Sequence, residues 1–295
     1  MQTVRTRLVT GFTIIELLVA MAILSILAAL LFPVFRSGVV AAKTNQCIQN
    51  MRQVGGAVQN YLIDYDDRFP PVVYREEMPG DSTDNRTWVQ NLQPYLGTLN
   101  TFLCPSDSSK ESGKGMPRAM EGNPDPGFEF FESSVRTNYG YNYLYLAPLV
   151  SYRSDVWVCE TKKTSDVKDA SSTIAFVDSV WDRDQNGNPR GGGSFIVVPP
   201  CRYTGRKGNF VDTFDFDPRS KMYFGPTPEG WHDPRLKDWL AFGGAWPWHT
   251  NKFNTLYLDN HAKSLPAGNL TKGCDFLPYW KGLITSREEY QWDRE

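Results

Sequence analysis

The sequence predicts an α+β fold, with one long N-terminal helix packed on a small antiparallel sheet whose connections are large loops. Three observations predict it. Phe12–Phe35 is a run of 24 residues in which Glu16 is the only charge, and it passes without a break into an amphipathic stretch. Downstream, the strand-like segments are short and well separated. The 295 residues include 24 glycines, 20 prolines and 14% aromatics, a composition suited to loops and short strands rather than a helical bundle.

The helix comes first. About 20 apolar residues cross a hydrocarbon core, so Phe12–Phe35 is long enough to span. Met1 to Gly11 carries Arg5 and Arg7 and no acid, which by the positive-inside rule keeps this end cytoplasmic and sends the rest outward. A carboxylate at mid-membrane costs ~2.5–3.5 kcal/mol, less near an end. Glu16 therefore either snorkels to the cytoplasmic headgroups or meets a positive partner inside the membrane. Pro33 predicts a kink, since proline removes a backbone hydrogen bond. Beyond Arg36, Val40, Cys47, Ile48, Met51, Val54, Val58, Tyr61, Leu62 and Tyr65 recur at spacings of three and four. Gly55-Gly56 predicts weakening in the middle, and the stretch Asp64 to Pro71, with its two prolines, predicts the end of a helix running from Phe12 to Tyr65.

The head follows. Thr173–Val177, Phe195–Val198, Phe253–Leu258 and His261–Leu265 read as strands, Trp88–Leu96 as a short helix, and the stretch from Arg183 to Pro234 as long loops. The aromatic run from Phe128 to Trp157, with Phe130, Phe131, Tyr139, Tyr141, Tyr143, Tyr145 and Tyr152, alternates at strand-like spacing and reads as core more than as a stacking surface. The 31 basic and 33 acidic side chains nearly balance and no like-charge run appears, which argues against a nucleic-acid partner.

Gly11-Phe12-Thr13-Ile14-Ile15-Glu16, with its basic leader and apolar run, resembles the signal of type IV prepilins and type II secretion pseudopilins. The resemblance implies a pilin-like fold divided into a leader (1–11), a transmembrane helix half (12–35), an amphipathic half (36–66) and an exported head (67–295). It implies cleavage between Gly11 and Phe12 by a prepilin peptidase, N-methylation of Phe12, and pairing of the new amine with Glu16 of a neighbouring subunit. A carboxylate facing an ammonium in the membrane is compensated where one left alone is not. The implied partners are that peptidase, identical or related subunits, the membrane, and a secretion or pilus assembly machinery. The implied location is a single pass in the inner membrane with the head outside the cytoplasm, and a filament in the periplasm or at the cell surface. The resemblance makes the protein a structural subunit rather than an enzyme. The alternative is a surface binding module or hydrolase carrying a pilin-type anchor.

Two further stretches extend the resemblance. Phe102-Leu103-Cys104-Pro105-Ser106-Asp107 is similar to an F-x-C-P-S-D element of large pseudopilin-like proteins. His249 through Asp259-Asn260 is similar to their H-x9-DG element, with Asn260 in place of glycine. That second stretch reads physically as a hairpin with a type I′ turn at Asp259-Asn260, both residues at positive φ. His249 is either a catalytic base or metal ligand, with Asp259 and His261 near in sequence, or a side chain that hydrogen-bonds a loop at the start of the hairpin. No nucleophile signature accompanies it, and Gly191-Gly192-Gly193 lacks the lysine of a phosphate loop. Of five cysteines, at 47, 104, 159, 201 and 274, the resemblance points to Cys47–Cys104 as a disulfide; the other reading is two small buried hydrophobes.

Asp182, Asp184, Asn186 and Asn188 alternate ahead of a glycine-rich stretch, with Gly187 at the sixth place of an EF-hand-like pattern. The twelfth place is Gly193 rather than glutamate, so a ligand from elsewhere, with Asp178 nearest in sequence, would be needed to hold calcium. The other reading is a solvated turn. An incomplete cage predicts weak binding, ~10⁻⁴–10⁻³ M. Thermal melting in millimolar calcium against a chelator separates the two: binding requires a rise in Tm that Asp182→Ala/Asp184→Ala abolishes.

Overall fold

The computed structural model describes residues 12–74, 86–107, 134–153, 156–183, 188–201, 203–206, 209–212, 221–222, 243–275 and 282–293. Helix α1 (Ile14–Asp64) runs unbroken through Pro33. The chain divides into two compact units between Ala42 and Lys43, so α1 contributes to both. In the first unit every described side chain is exposed, an apolar surface with no core of its own.

In the second unit α1 is a core element. Cys47, Met51, Val54, Ala57, Val58, Tyr61 and Leu62 are buried at the spacing the sequence predicts. Val40 and Tyr65, assigned to the same stripe, are exposed; Tyr65 instead stacks on Tyr61 with ring centroids 4.0 Å apart. The helix ends at Asp64 because Asp66 and Asp67 turn left-handed, φ 52° and 61°, and Asp67 N–H donates back to the Leu62 carbonyl. Aspartate tolerates that conformation better than most residues. The prolines lie farther on.

The core sheet has four strands: β1 (Tyr139–Tyr141), β2 (Ile174–Asp178), β3 (Lys252–Tyr257) and β4 (Ala262–Pro266). Their spatial order is β4-β3-β2-β1, antiparallel throughout. This is the small antiparallel sheet that an α+β fold requires. Phe195–Val198 is not a strand of it. Ile196 makes one isolated parallel bridge to Tyr141, because the segment crosses the β1 edge where Gly140 lets it approach; a Cβ there would lie 3.0 Å from the Ile196 carbonyl oxygen. Trp88–Leu96 is also corrected: α2 covers Trp88–Leu92, and a 3-10 turn at Gln93–Tyr95 accommodates Pro94. Tyr139, Tyr141, Tyr143 and Tyr145 are all buried, the core role expected of them; Phe128, Phe130 and Phe131 lie outside the described residues. Short two-stranded pairings at Asp182–Arg183 with Pro189–Arg190, and at Tyr203–Arg206 with Asn209–Asp212, interrupt what the sequence reads as loop.

The hairpin β3–β4 is turned differently from the type I′ expectation. Only Asn260 has positive φ, 69°; Asp259 does not. Asn260 N–H donates to the Tyr257 carbonyl and Tyr257 N–H to the His261 carbonyl, both at 3.0 Å. This is a three-residue loop, a type I turn closed by one left-handed residue. One glycine-favouring position is therefore needed rather than two, and asparagine fills it.

Gly55 explains the pair of glycines in α1. A Cβ on it would lie 2.1 Å from Asn260 Oδ1 and 2.9 Å from Leu256 Cδ2, whereas one on Gly56 would meet nothing within 4 Å. The helix and the hairpin turn touch here. Gly56→Ala should therefore stabilise the folded protein by up to ~1 kcal/mol through helix propensity. Gly55→Ala should destabilise it by about 1–3 kcal/mol by overpacking. Denaturant unfolding of the two variants checks the contrast, and equal effects would contradict it.

Candidate functional site

Buried side chains converge between α1 and the end of the sheet. His249, just before β3, is 3% exposed. Its Nδ1 lies 3.2 Å from Thr44 Oγ1 on α1 and 3.3 Å from Ser106 Oγ. Its Nε2 lies 3.4 Å from Cys104 Sγ and 3.4 Å from Asp178 Oδ2 at the end of β2. Cys104 is joined to Cys47 of α1 in a disulfide with Cα atoms 5.3 Å apart. Four separate pieces of chain meet on one imidazole.

The loop carrying Cys104 is held by Asn138. Cys104 N–H donates to Asn138 Oδ1, Asn138 Nδ2 donates to Asp107 Oδ2, and Asn138 N–H donates to the Phe102 carbonyl, all within 3.1 Å. Asn50 of α1 donates to the Leu103 carbonyl at 3.0 Å. The F-x-C-P-S-D residues thus form a strut between the β1 edge and the helix.

Asp178 is fully buried. Its Oδ2 accepts Asn254 N–H at 2.7 Å, while Oδ1 has no hydrogen-bond partner among the described residues. Burial pushes its carboxyl well above the usual carboxylate range, with the bond from Asn254 opposing weakly. Burial pushes the His249 imidazole down to about 4. Burial thus disfavours the charged form of each group across their 3.4 Å approach.

At the other end of α1, Phe12 is exposed and Gly11 lies outside the described residues. Thr13 precedes the first helical residue. Its N–H and Oγ1 both donate to Glu16 Oε2 at 2.9 Å, and Glu16 N–H donates back to Thr13 Oγ1 at 3.3 Å. This reciprocal pair is a capping box, satisfying backbone donors that the helix start would otherwise leave bare. Its signature, Thr-x-x-Glu, stands in the sequence and gives Glu16 a local role that neither snorkelling nor pairing supplies.

Residues 7–32 match the family model of the prokaryotic N-terminal methylation motif. No curated protein and no solved structure matches the chain. The methylation motif supports a pilin- or pseudopilin-type protein whose N-terminal helix is a candidate membrane anchor. The motif reaches neither Cys104 nor His249, so those residues rest on geometry alone.

That geometry brings together Cys47, Cys104 and His249, and Asp178 joins them, a residue sequence reading placed elsewhere as a spare calcium ligand. Its signal was an aspartate closing the otherwise apolar strand Ile-Ala-Phe-Val-Asp. Asp259 and His261 are not part of this cluster. They form their own pair at the hairpin tip, Asp259 Oδ1 lying 2.5 Å from His261 Nδ1. Among the loop residues considered for calcium, Asp182 pairs through its backbone with Arg190, Asn188 is exposed, and Asp184 and Asn186 lie outside the described residues. A second disulfide, Cys201–Cys274, was not foreseen. It leaves Cys159 as the free thiol, pushed up to about 12 by burial.

The two shifts at the cluster have opposite pH consequences. Unfolded His249 binds a proton below its ordinary 6.5 while the folded ring stays neutral to about 4, so its contribution is lost as pH falls across that window. Unfolded Asp178 ionises above its ordinary 3.8 while the folded carboxyl stays protonated, so its contribution is lost as pH rises. The stability of Asp178→Asn relative to wild type should therefore climb above pH 3.8, by up to ~1.4 kcal/mol per pH unit. That of His249→Gln should fall between pH 4 and 6.5 and then level. Unfolding free energies measured across this range check both slopes.

Proposed function

We propose that this chain is a membrane-anchored structural subunit of a type IV pilus-like or type II secretion filament, cut between Gly11 and Phe12 and N-methylated by a prepilin peptidase. The observation that supports it most is the methylation motif at residues 7–32, overlapping the first part of α1, where the described side chains from Phe12 to Ala42 are all exposed. Such a surface is stable in lipid or against like helices, and not in water. In this reading the helix spans the inner membrane, the head lies outside the cytoplasm, and the filament stands in the periplasm or at the cell surface.

Glu16 then has two tasks. Both capping bonds run to Oε2. The carboxylate keeps a second oxygen to offer the Phe12 amine of a neighbouring subunit, which compensates its charge in hydrocarbon. Capping positions the carboxylate one turn from the cut, near the place a neighbour's amine must reach.

One observation favours a hydrolase instead: Ser106, His249 and Asp178 stand in the order of a nucleophile, base and acid. The electrostatics oppose it. Burial disfavours the Asp178 carboxylate that would have to stabilise an imidazolium, Nδ1 is shared with Thr44, and the ring is buried. The cluster reads as a clasp.

In cells holding the peptidase, mass spectrometry should find a mature chain beginning with methylated Phe12, and Gly11→Val should block the cut. Glu16→Gln keeps the capping geometry and removes the charge, so membrane insertion should persist while filament assembly fails, as it should for Glu16→Leu. Normal assembly by Glu16→Gln would reduce Glu16 to a helix cap.

A further inference from the structure

We propose that Cys47, Cys104, His249 and Asp178 form a zinc site when the two cysteines are reduced, an alternative to the Cys47–Cys104 disulfide. The sulfur and nitrogen atoms of Cys47, Cys104 and His249 all lie within 4.8 Å of one another, and all three residues are buried. His249 Nε2 is 3.4 Å from both Cys104 Sγ and Asp178 Oδ2. Ligands at usual zinc distances and tetrahedral angles stand ~3.3–3.6 Å apart for such pairs. Both contacts of Nε2 fall in that range.

Two independent features point the same way. Asp178 Oδ1 is buried without a hydrogen-bond partner among the described residues, so this carboxyl, whose other oxygen is 3.4 Å from His249 Nε2, has acceptor capacity to spare. On the far side of the ring, Nδ1 faces the hydroxyls of Thr44 and Ser106 at 3.2 and 3.3 Å. A proton on Nδ1 donated to either leaves the Nε2 lone pair facing the sulfurs, the arrangement zinc-bound histidines adopt.

The chemistry balances without an added reductant, since the chain is synthesised with thiols. Zinc binding releases one proton from each thiol and, where it is protonated, one from Asp178. Forming the disulfide removes two electrons from the two thiolates, accepted by a disulfide-bearing oxidant that is reduced to its dithiol, and expels the metal because both thiolates are consumed. Zinc and disulfide thus hold the same two elements, α1 and the Cys104 loop, before and after oxidation. The inference does not depend on the filament reading.

The test uses the full-length protein in detergent, reduced and kept anaerobic. Equimolar zinc should slow alkylation of Cys47 and Cys104, mapped by mass spectrometry, by about tenfold or more. Cobalt in its place should give tetrahedral d–d absorption with a thiolate charge-transfer band. Asp178→Asn and His249→Gln should each lose most of the protection, and air-oxidised protein should take up no metal at this site. Zinc that leaves both thiols equally reactive, protection confined to Cys201 and Cys274, or protection untouched in both variants would overturn the proposal. The wild-type alkylation and cobalt spectra decide it even where a variant fails to fold.

Discussion

The seating of one half of α1 on the sheet is the contact on which the rest of the molecule depends. Residues 47–62 of the helix are as much core as the strands, and without them the face of β2 and β3 that carries Asp178 and Leu256 would lie bare. The helix is fastened at two levels. Near Cys47 the fastening is covalent and polar, through the disulfide, His249 and the Cys104 loop. Near Gly55 it is steric, where a missing side chain admits the hairpin turn. Gln59, one turn on, donates to the Leu258 carbonyl and fixes the same turn. The disulfide joins positions 57 apart in sequence, which by chain-entropy reasoning contributes about 4 kcal/mol by restricting the unfolded chain.

The two halves of α1 obey opposite rules. The first keeps its apolar side chains outside, a surface suited to lipid or to other helices; the second turns them into a core. Nothing in backbone propensity separates the halves. What separates them is the surrounding chemistry: residues beyond Arg36 alternate polar and apolar at helical spacing, so one face alone can be buried. A single helix can therefore serve an anchor and a globular head.

The polar cluster at the top of the core is costly to bury. Burial disfavours the charged forms of both Asp178 and His249, and Asp178 Oδ1 has no hydrogen-bond partner among the described residues, which is a standing cost. Apolar residues of similar volume would pack there more cheaply. Their presence is accounted for if the cluster binds something in one redox state, and it is otherwise only a clasp with one bond missing.

The long helix, its apolar and amphipathic halves, the hairpin at the C-terminal element and the processing motif were all legible in the residues, because each depends on spacing or composition within a short window. Phe195–Val198 differs for the complementary reason: its apolar run suits a strand, but its backbone bonds are divided among Val135, Tyr141 and Gly243 rather than running along one partner strand. The Asp259-Asn260 turn was half legible. Composition announced a turn, while its type depended on how the hydrogen bonds close across the hairpin. The capping box at Thr13 and Glu16 was fully local and could have been read from the spacing. Asp178 could not. An aspartate at the end of a strand is as often solvated as buried, and only the packing of helix, strut and hairpin decided that this one would be dry and beside His249. The same holds for Gly55, whose need for glycine comes from a turn two hundred residues away. Local periodicity determined the elements; long-range packing, which no window contains, decided which side chains would meet.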